Sequence, residues 1–265
     1  MPTPLELLLD PMSLTVFALY ALLIAWEALR PARPLPTVPG WRRRGIAAFF
    51  CYWLLSSYLP LLWNGYLLRY RCLDLTGLGD AYGALVGLLL YEFCVYLWHR
   101  AMHTSENLWR SFHQWHHSAE RLDCFGAFWF SPLDMLGWTL LSSLALTLLI
   151  GVTPQAAAWV LYATTFCSVF QHANVKTPHW LGYFLQRPES HSVHHQAGVH
   201  AGNYSDLPLF DLLFGTFRNP QEFAGQTGFY RGASNRLWDM LLMRDVTRPP
   251  AAAVAVGTNR RRRSI

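Results

Sequence analysis

The stretch PESHSVHH, Pro188 to His195, completes a set of histidines that begins with HRAMH, His99 to His103, and HQWHH, His113 to His117. Together the three clusters hold eight of the chain's eleven histidines. An i, i+4 pair and two i, i+3, i+4 triplets each put their imidazoles on one face of a helix, which is how a helix presents neutral nitrogen donors to a metal ion. Eight donors are too many for one ion and suit two. With 11 histidines in 265 residues, HxxHH should arise by chance roughly 0.02 times in a chain of this length. Two copies therefore mark a site, although any one histidine alone is more often a packed core or surface residue.

Around the histidines the chain is apolar. Hydrophobic residues make up 52% and charged residues 14%, against about 25% charged in an average soluble domain. The apolar runs are Met12 to Leu29, Ile46 to Leu68, Ala81 to Trp98, Leu133 to Ile150 and Ala156 to Phe170. About 20 apolar residues cross a bilayer. The first four are thus expected to span, and the shorter fifth to pair with the fourth as a hairpin partly buried in protein. Four such runs fit poorly as buried helices of a soluble core. The expected fold is all-α, a polytopic membrane bundle of about four spanning helices under a cytoplasmic helical cap that holds a di-metal site. No Lys or Arg precedes Arg30, Glu6 and Asp10 are acidic, and no small-residue cleavage site follows the first run. That helix is expected to be retained rather than removed as a signal peptide.

Positive charge sets the expected orientation. Arg30, Arg33, Arg42, Arg43 and Arg44 lie between the first and second runs, whereas the next loop has only Arg69 and Arg71 beside Asp74 and Asp80. The first loop is therefore placed in the cytoplasm. Counting crossings brings the third helix back to that side at Trp98, so segment 99–132 and everything after His172 fall on the same face as Arg260 to Arg263. The net charge of +5 comes from arginines flanking apolar runs. Anionic lipid headgroups, worth about 1 kcal/mol per basic residue near the surface, account for it better than nucleic acid. The expected organisation is 1–79 for the N-terminal membrane helices and basic loop, 80–220 for a catalytic domain, 221–248 for a C-terminal cap segment, and 249–265 for a disordered basic tail.

Five dispersed cysteines, Cys51, Cys72, Cys94, Cys124 and Cys167, form neither a disulfide framework nor a thiolate metal set, and read as small packing residues. Imidazole ligands suit zinc, copper, iron or nickel, so ligand type leaves the metal open. Location narrows it. A two-metal site at the membrane surface suggests an acyl or isoprenoid chain as substrate, whose inert C–H bonds need an oxidant. Iron with dioxygen supplies one, and zinc has no redox chemistry.

The segments HRAMH, HQWHHSAERLD, QHANV, PESHSVHH and NYSDLPLFDLLFGTF together resemble the fatty acid hydroxylase and sterol desaturase superfamily of integral membrane di-iron oxygenases, over about residues 80 to 220. The resemblance implies that His99, His103, His113, His116, His117, His191, His194 and His195 bind two irons, with His172 of QHAN as a ninth ligand. It implies O2 as co-substrate, a lipid substrate, and hydroxylation, with desaturation as the alternative because both begin by abstracting hydrogen. Electrons are expected from an external ferredoxin or cytochrome with its reductase, since the chain shows no ferredoxin cysteines, nucleotide fingerprint or haem-binding module.

An ionisable group within a span is costly and so a functional candidate. Glu92, two helical turns before His99, is accordingly expected to hold a ligand imidazole by its second nitrogen. Asn174 and Asn203 are given similar orienting parts, and Asp211 is expected to anchor the cap. The resemblance weakens at Phe210, Asp211 and Leu212, where Trp-Asp-Arg is usual, and at Ser131, where relatives tend to carry His. His179 and His200 match no motif and read as surface or loop residues. A metal transporter or metal-binding protein is the other class to weigh. It would place donors near the bilayer midplane, whereas these histidines lie at helix ends.

Overall fold

The computed structural model describes residues 1–250, so the expected tail at 249–265 falls, beyond its first two residues, outside the described residues. These are mostly helical, with no strand among them and one isolated bridge between Gln196 and Thr227. Local chemistry sets the helix starts. A capping box between Thr3 and Glu6 opens α1 (Pro4–Leu9), and the Asp10 carboxylate accepts the Met12 N–H to open α2 (Pro11–Leu29). Gly40, at φ 70°, turns the chain into α3 (Trp41–Leu67), and Gly79, at φ 68°, does so at the start of α4 (Gly79–Thr104). Ser131 caps α7 (Pro132–Ser143), which a π-helical stretch extends to Leu149, and Thr153 caps α8 (Pro154–His172).

Four helical stretches are long and apolar enough to cross a membrane: Pro11–Leu29, Trp41–Tyr70, Thr76–Thr104 and Pro132–Leu149. They match the four runs expected to span, the fourth ending one residue earlier, at Leu149. The fifth run, in α8, follows α7 as the second arm of a hairpin, but the two arms splay. Helix α7 packs chiefly on α3, and α8 packs on α4 and α2. The reason is a cavity that both arms line, α7 with Thr139 and Ser143 and α8 with Leu161 and Thr165.

Two apolar clusters hold the long helices together. One joins Tyr20 and Leu23 of α2, Phe49 of α3, Val169 and Phe170 of α8, and Cys124 and Phe128 from segment 118–131 before α7. The other joins Tyr91 and Val95 of α4 to Leu146, Ile150 and Val160. Here Gly83 and Gly87 let α4 and its neighbours approach closely. A Cβ at Gly83 would stand 3.3 Å from that of Ala156, and one at Gly87 would stand 3.3 Å from Val160 and 3.4 Å from Leu146.

Segments 105–131 and 173–250 gather at the ends of α4, α7 and α8 where the histidines lie. They carry short elements: α5 (Glu106–Leu108), α6 (Gln114–His117), α9 (Pro188–His194), α10 (Leu209–Leu213) and α11 (Leu237–Leu241). A third cluster, with Trp41, Trp115, Phe125, Trp129 and Met240, seats this cap on the start of α3. The closest approach is at Gly45, where a Cβ would stand 2.3 Å from the Phe125 carbonyl oxygen.

Gly45→Ala therefore forces the backbones of α3 and the cap apart. Overpacking of this kind costs about 1–3 kcal/mol, so the thermal midpoint in detergent is expected to fall. Gly65→Ala, whose Cβ meets nothing within 4 Å, serves as the control and is expected to leave it in place.

Candidate metal centre

Nine imidazoles converge in two groups. His99, His103, His113, His117 and His194 form the first, and His116, His172, His191 and His195 the second; in each, one donor atom per residue lies within 4.8 Å of the others. All are buried except the half-buried His103. His99 and His103 come from the last turns of α4, His172 from the end of α8, and the triplets from α6 with His113 just before it and from α9 with His195 just after it. Each HxxHH triplet is shared between the groups. His113 and His117 face the first while His116 faces the second; His191 and His195 face the second while His194 faces the first. A π-helical turn over Trp109–His113 runs directly into α6, and such turns shift the register of the side chains that follow.

Inside the groups the Nε2 atoms face one another. His99 and His113 are 2.9 Å apart, His116 and His172 3.1 Å, His172 and His191 3.2 Å, and His191 and His195 3.1 Å. Two donors at right angles, each about 2.1 Å from one ion, stand about 3 Å apart. Outside the groups the Nδ1 atoms are held. Those of His103, His194 and His99 donate to the carbonyls of His200 (2.8 Å), Gly202 (2.7 Å) and Tyr204 (2.7 Å). That of His172 donates to Ser168 O at 2.7 Å, and that of His113 faces the Asp134 carboxylate at 3.0 Å. A carbonyl can only accept, so Nδ1 carries the proton and Nε2 turns a lone pair inward. The buried Nε2 atoms of His103, His117 and His194 have no hydrogen-bond partner among the described residues. Inward lone pairs with no donor to meet them fit a metal ion, and the residues present could hold two.

None of the expected orienting residues, Glu92, Asn174 and Asn203, hydrogen-bonds an imidazole among the described residues. Glu92 touches no imidazole. Its Oε2 accepts the backbone N–H groups of Asp206 (2.9 Å) and Leu207 (3.1 Å), because two turns of α4 leave it about 10 Å below His99, whose Nδ1 Tyr204 already takes. Asn203 also misses the imidazoles: its amide donates to Ser190 O and Arg218 O and accepts from Arg218 N. Asn174 lies off the groups, donating to Arg33 O while its N–H goes to Glu27. Asp211 accepts from Tyr204 N, Ser205 N and the hydroxyls of Ser205 and Thr216. It thus anchors the loop that carries the carbonyls.

Two residues escaped the sequence reading. His200, placed there among surface residues, has its Nδ1 3.0 Å from that of His117, while its carbonyl holds His103. Asp134 holds His113, and an acid at the head of an apolar run was its signal. Ser131, where relatives tend to carry His, caps α7 and donates to the Phe112 carbonyl, tying the π turn to that helix. His179 is exposed, as expected.

Burial, with the neighbouring imidazoles adding to it, holds His113, His116, His117, His191, His194 and His195 well below the ordinary histidine value of 6.5. Burial lowers His200 to about 4. These groups are neutral and ready to ligate at pH 7. A cavity of about 500 Å³ opens onto both groups, with His99, His113, His116, His172 and His191 in its wall. Along α8 it is lined from His172 to Ala157, about 22 Å at 1.5 Å per residue. Val16, Phe49, Phe128, Leu146 and Leu161 make its middle apolar.

The sequence matches the fatty acid hydroxylase family over residues 84–216. An ornithine lipid hydroxylase, OlsE, of Rhizobium tropici is 33% identical over 144 residues, which are 53% of this chain and 43% of that protein. The very-long-chain aldehyde decarbonylase GL1-9 of Oryza sativa subsp. indica is 27% identical over 141 residues, 52% of this chain and 55% of its own. The sphingolipid C4-hydroxylase sur2 of Schizosaccharomyces pombe is 26% identical over 152 residues, 53% and 52% of the two chains. The chain spans about half the length of the curated relatives it matches. No solved structure matches it.

Removing a group that holds a ligand's outer nitrogen commonly weakens metal binding about 10- to 100-fold. Asp134→Ala is expected to lose metal to a chelator by that factor, and Asp134→Asn, which keeps an acceptor, by less. Metal retained per chain after dialysis against graded chelator measures both. A second expectation concerns pH. The unfolded chain takes up protons near pH 6.5 while the folded imidazoles do not, so stability is full above that value and falls as the pH drops below it, by up to about 1.4 kcal/mol per unit for each group. The unfolding midpoint of metal-free protein should hold above about pH 6.5 and decline from there to pH 5.5, whereas a flat profile would mean that the folded imidazoles protonate freely.

Proposed function

We propose, on the premise that this chain belongs to the fatty acid hydroxylase family, that it is an integral membrane oxidoreductase that hydroxylates a C–H bond of a lipid chain, using two irons, dioxygen and electrons supplied from outside. One observation carries the proposal: both histidine groups open onto the same long, mostly apolar cavity between membrane-spanning helices. A transporter would need donors along a path through the bilayer, whereas here they close one end of a cavity.

His99, His103, His113, His117 and His194 would hold one iron, and His116, His172, His191 and His195 the other. Bound there, iron supplies the redox chemistry with dioxygen that an unactivated C–H bond requires. In balance, the C–H bond, dioxygen, two electrons and two protons become an alcohol and water. The protein's part is geometric. The apolar wall excludes water and lays an extended chain along about 22 Å, so that one carbon lies beside the histidines and its neighbours do not. The relatives' names, with ornithine lipid, sphingolipid and very-long-chain aldehyde among them, support a long-chain lipid as substrate. The choice among lipids rests partly outside the matched segment, because Ser13 and Val16 of α2 and Phe49, Tyr52 and Trp53 of α3 form one wall. The basic 30–44 loop lies on the histidine side and supports a cytoplasmic site, within reach of a ferredoxin or cytochrome donor.

The test is mass spectrometry of total lipids from aerobic cells that carry a competent electron donor, expressing either the intact chain or His194→Ala at equal level. A lipid that gains one oxygen atom only with the intact chain is the expected result, with about two irons per chain in the purified protein. A lipid that loses two hydrogens would make the enzyme a desaturase. Iron at two per chain with an unchanged lipid profile would overturn the lipid substrate, and no bound iron would overturn the oxygenase reading.

A further inference from the structure

A second cavity, of about 320 Å³, lies where α2 ends and shares no lining residue with the first. Three segments bring guanidinium groups to it: Arg33 from the loop after α2, Arg42 from the start of α3 and Arg121 from the turn after α6. Much of their hydrogen-bonding capacity is unspent. Arg42 lies over the Phe125 ring at 5.6 Å and has no ion pair among the described residues. Arg33 donates one terminal nitrogen to Ala224 O and lies over Phe223, and its buried Nε has no partner among the described residues. Arg121 gives Nε to Asp123 and one terminal nitrogen to Pro36 O, which leaves the other.

The same cavity offers acceptors. Asn174 is only 3% exposed, and its Nδ2 is fixed by donating to Arg33 O, so its Oδ1 is the orphan, buried without a partner among the described residues. An orphaned carbonyl oxygen costs free energy unless a donor meets it. Glu27 also lines the cavity. Its Oε2 takes the N–H groups of Cys124 and Asn174, each at 2.9 Å, and Oε1 accepts no hydrogen bond among the described residues. A wall that holds guanidinium groups together with a carboxylate and an amide oxygen describes a ligand that carries both an anion and an N–H donor.

The cavity's place at the end of α2 identifies the source of such a ligand. Ala28 and Pro31, at its mouth, are exposed at the end of a membrane-spanning helix, where headgroups lie. Leu22, Trp26 and Leu29 leave an exposed apolar surface on α2 that leads away from it. We propose that this cavity binds the phosphoethanolamine headgroup of a membrane lipid, with its phosphate on Arg33, Arg42 and Arg121 and its ammonium on Glu27 and the Asn174 carbonyl oxygen. The lipid joins α2, the basic loop, the turn at Arg121 and the strand of chain that leaves His172, so it steadies the cap without entering the substrate cavity. The site stands whatever reaction the histidines support.

Thermal unfolding of the full chain in dodecyl maltoside, with short-chain phosphatidylethanolamine titrated in, tests it. The midpoint is expected to rise saturably with the wild-type chain. The concentration needed should increase about tenfold, the size of one lost charge-assisted hydrogen bond, for Arg42→Gln and not for Arg43→Gln. Arg43 is the exposed neighbour outside the cavity, so the two variants share their change in charge. Equal weakening in both would reduce the effect to general attraction and overturn the site. Short-chain phosphatidylcholine, which has no N–H, acting as strongly as phosphatidylethanolamine would overturn the ammonium contact, and inorganic phosphate acting alone at the same concentration would overturn the lipid.

Discussion

Three backbone carbonyls of one loop, those of His200, Gly202 and Tyr204, take the Nδ1 protons of His103, His194 and His99. The two-group arrangement depends on this interaction. Alternate residues of the loop serve imidazoles from α4 and α9, so a single turn of chain sets the tautomer of donors from two helices. The conformation is a demanding one, with His200 at φ 43°, Gly202 at 80° and Asn203 at 54°, and left-handed backbone at non-glycine residues costs free energy. What maintains it is visible around it. Asn203 is hydrogen-bonded on both faces of its amide, and Asp211 draws in the backbone of Tyr204 and Ser205. With the protons fixed outward, the lone pairs must point inward. Burial keeps a second proton off the imidazoles of α6 and α9, so a cation is the natural neutraliser of the space they enclose.

The division of the triplets follows from this. On a helix, positions i and i+4 nearly eclipse while i+3 lies to one side, so a triplet flanked by two ions sends its i, i+4 pair to one and its i+3 member to the other. The triplet of α6 gives two donors to the first group and one to the second, and that of α9 does the reverse. The i, i+4 pair of α4 and the single His172 then bring the groups to five and four.

The sequence carried the apolar runs, the helical class and the eight clustered histidines, because each of these is a pattern of side chains, and His172 came from the resemblance alone. It could not carry the hydrogen bonds that hold the imidazoles, since most of those acceptors are backbone carbonyls, whose positions depend on φ and ψ and not on residue type. Glu92 was legible as an unusual residue and assigned the wrong partner for that reason: nothing in its spacing from His99 tells an imidazole from the N–H groups of Asp206 and Leu207. His200 was missed because a lone histidine in the loop AGVHAGN resembles any surface residue. Asp134 could have been found. The criterion applied to Glu92, an acid in an apolar run, selects it equally well. The splay of α7 from α8 was beyond reach because the cavity that separates them is made by residues from all five long helices and from short ones of the cap.

Glu27, Glu92 and Asp134, three carboxylates buried in spanning helices, have one role in common. Each accepts from a different piece of the cap: Glu27 from Cys124 N and Asn174 N, Glu92 from Asp206 N and Leu207 N, and Asp134 from His113. A buried carboxylate is costly unless hydrogen-bonded, and a cap joined to a membrane bundle by apolar contact alone could slide over it, since such contact is not directional. Bonds of 2.9 to 3.1 Å from span to cap remove that freedom. Donors from α4 and α8 can then meet donors from α6 and α9 within 4.8 Å, a separation that small sliding would destroy. The carboxyl groups in the spans are thus the means by which two parts of the chain with unlike surroundings are brought into register.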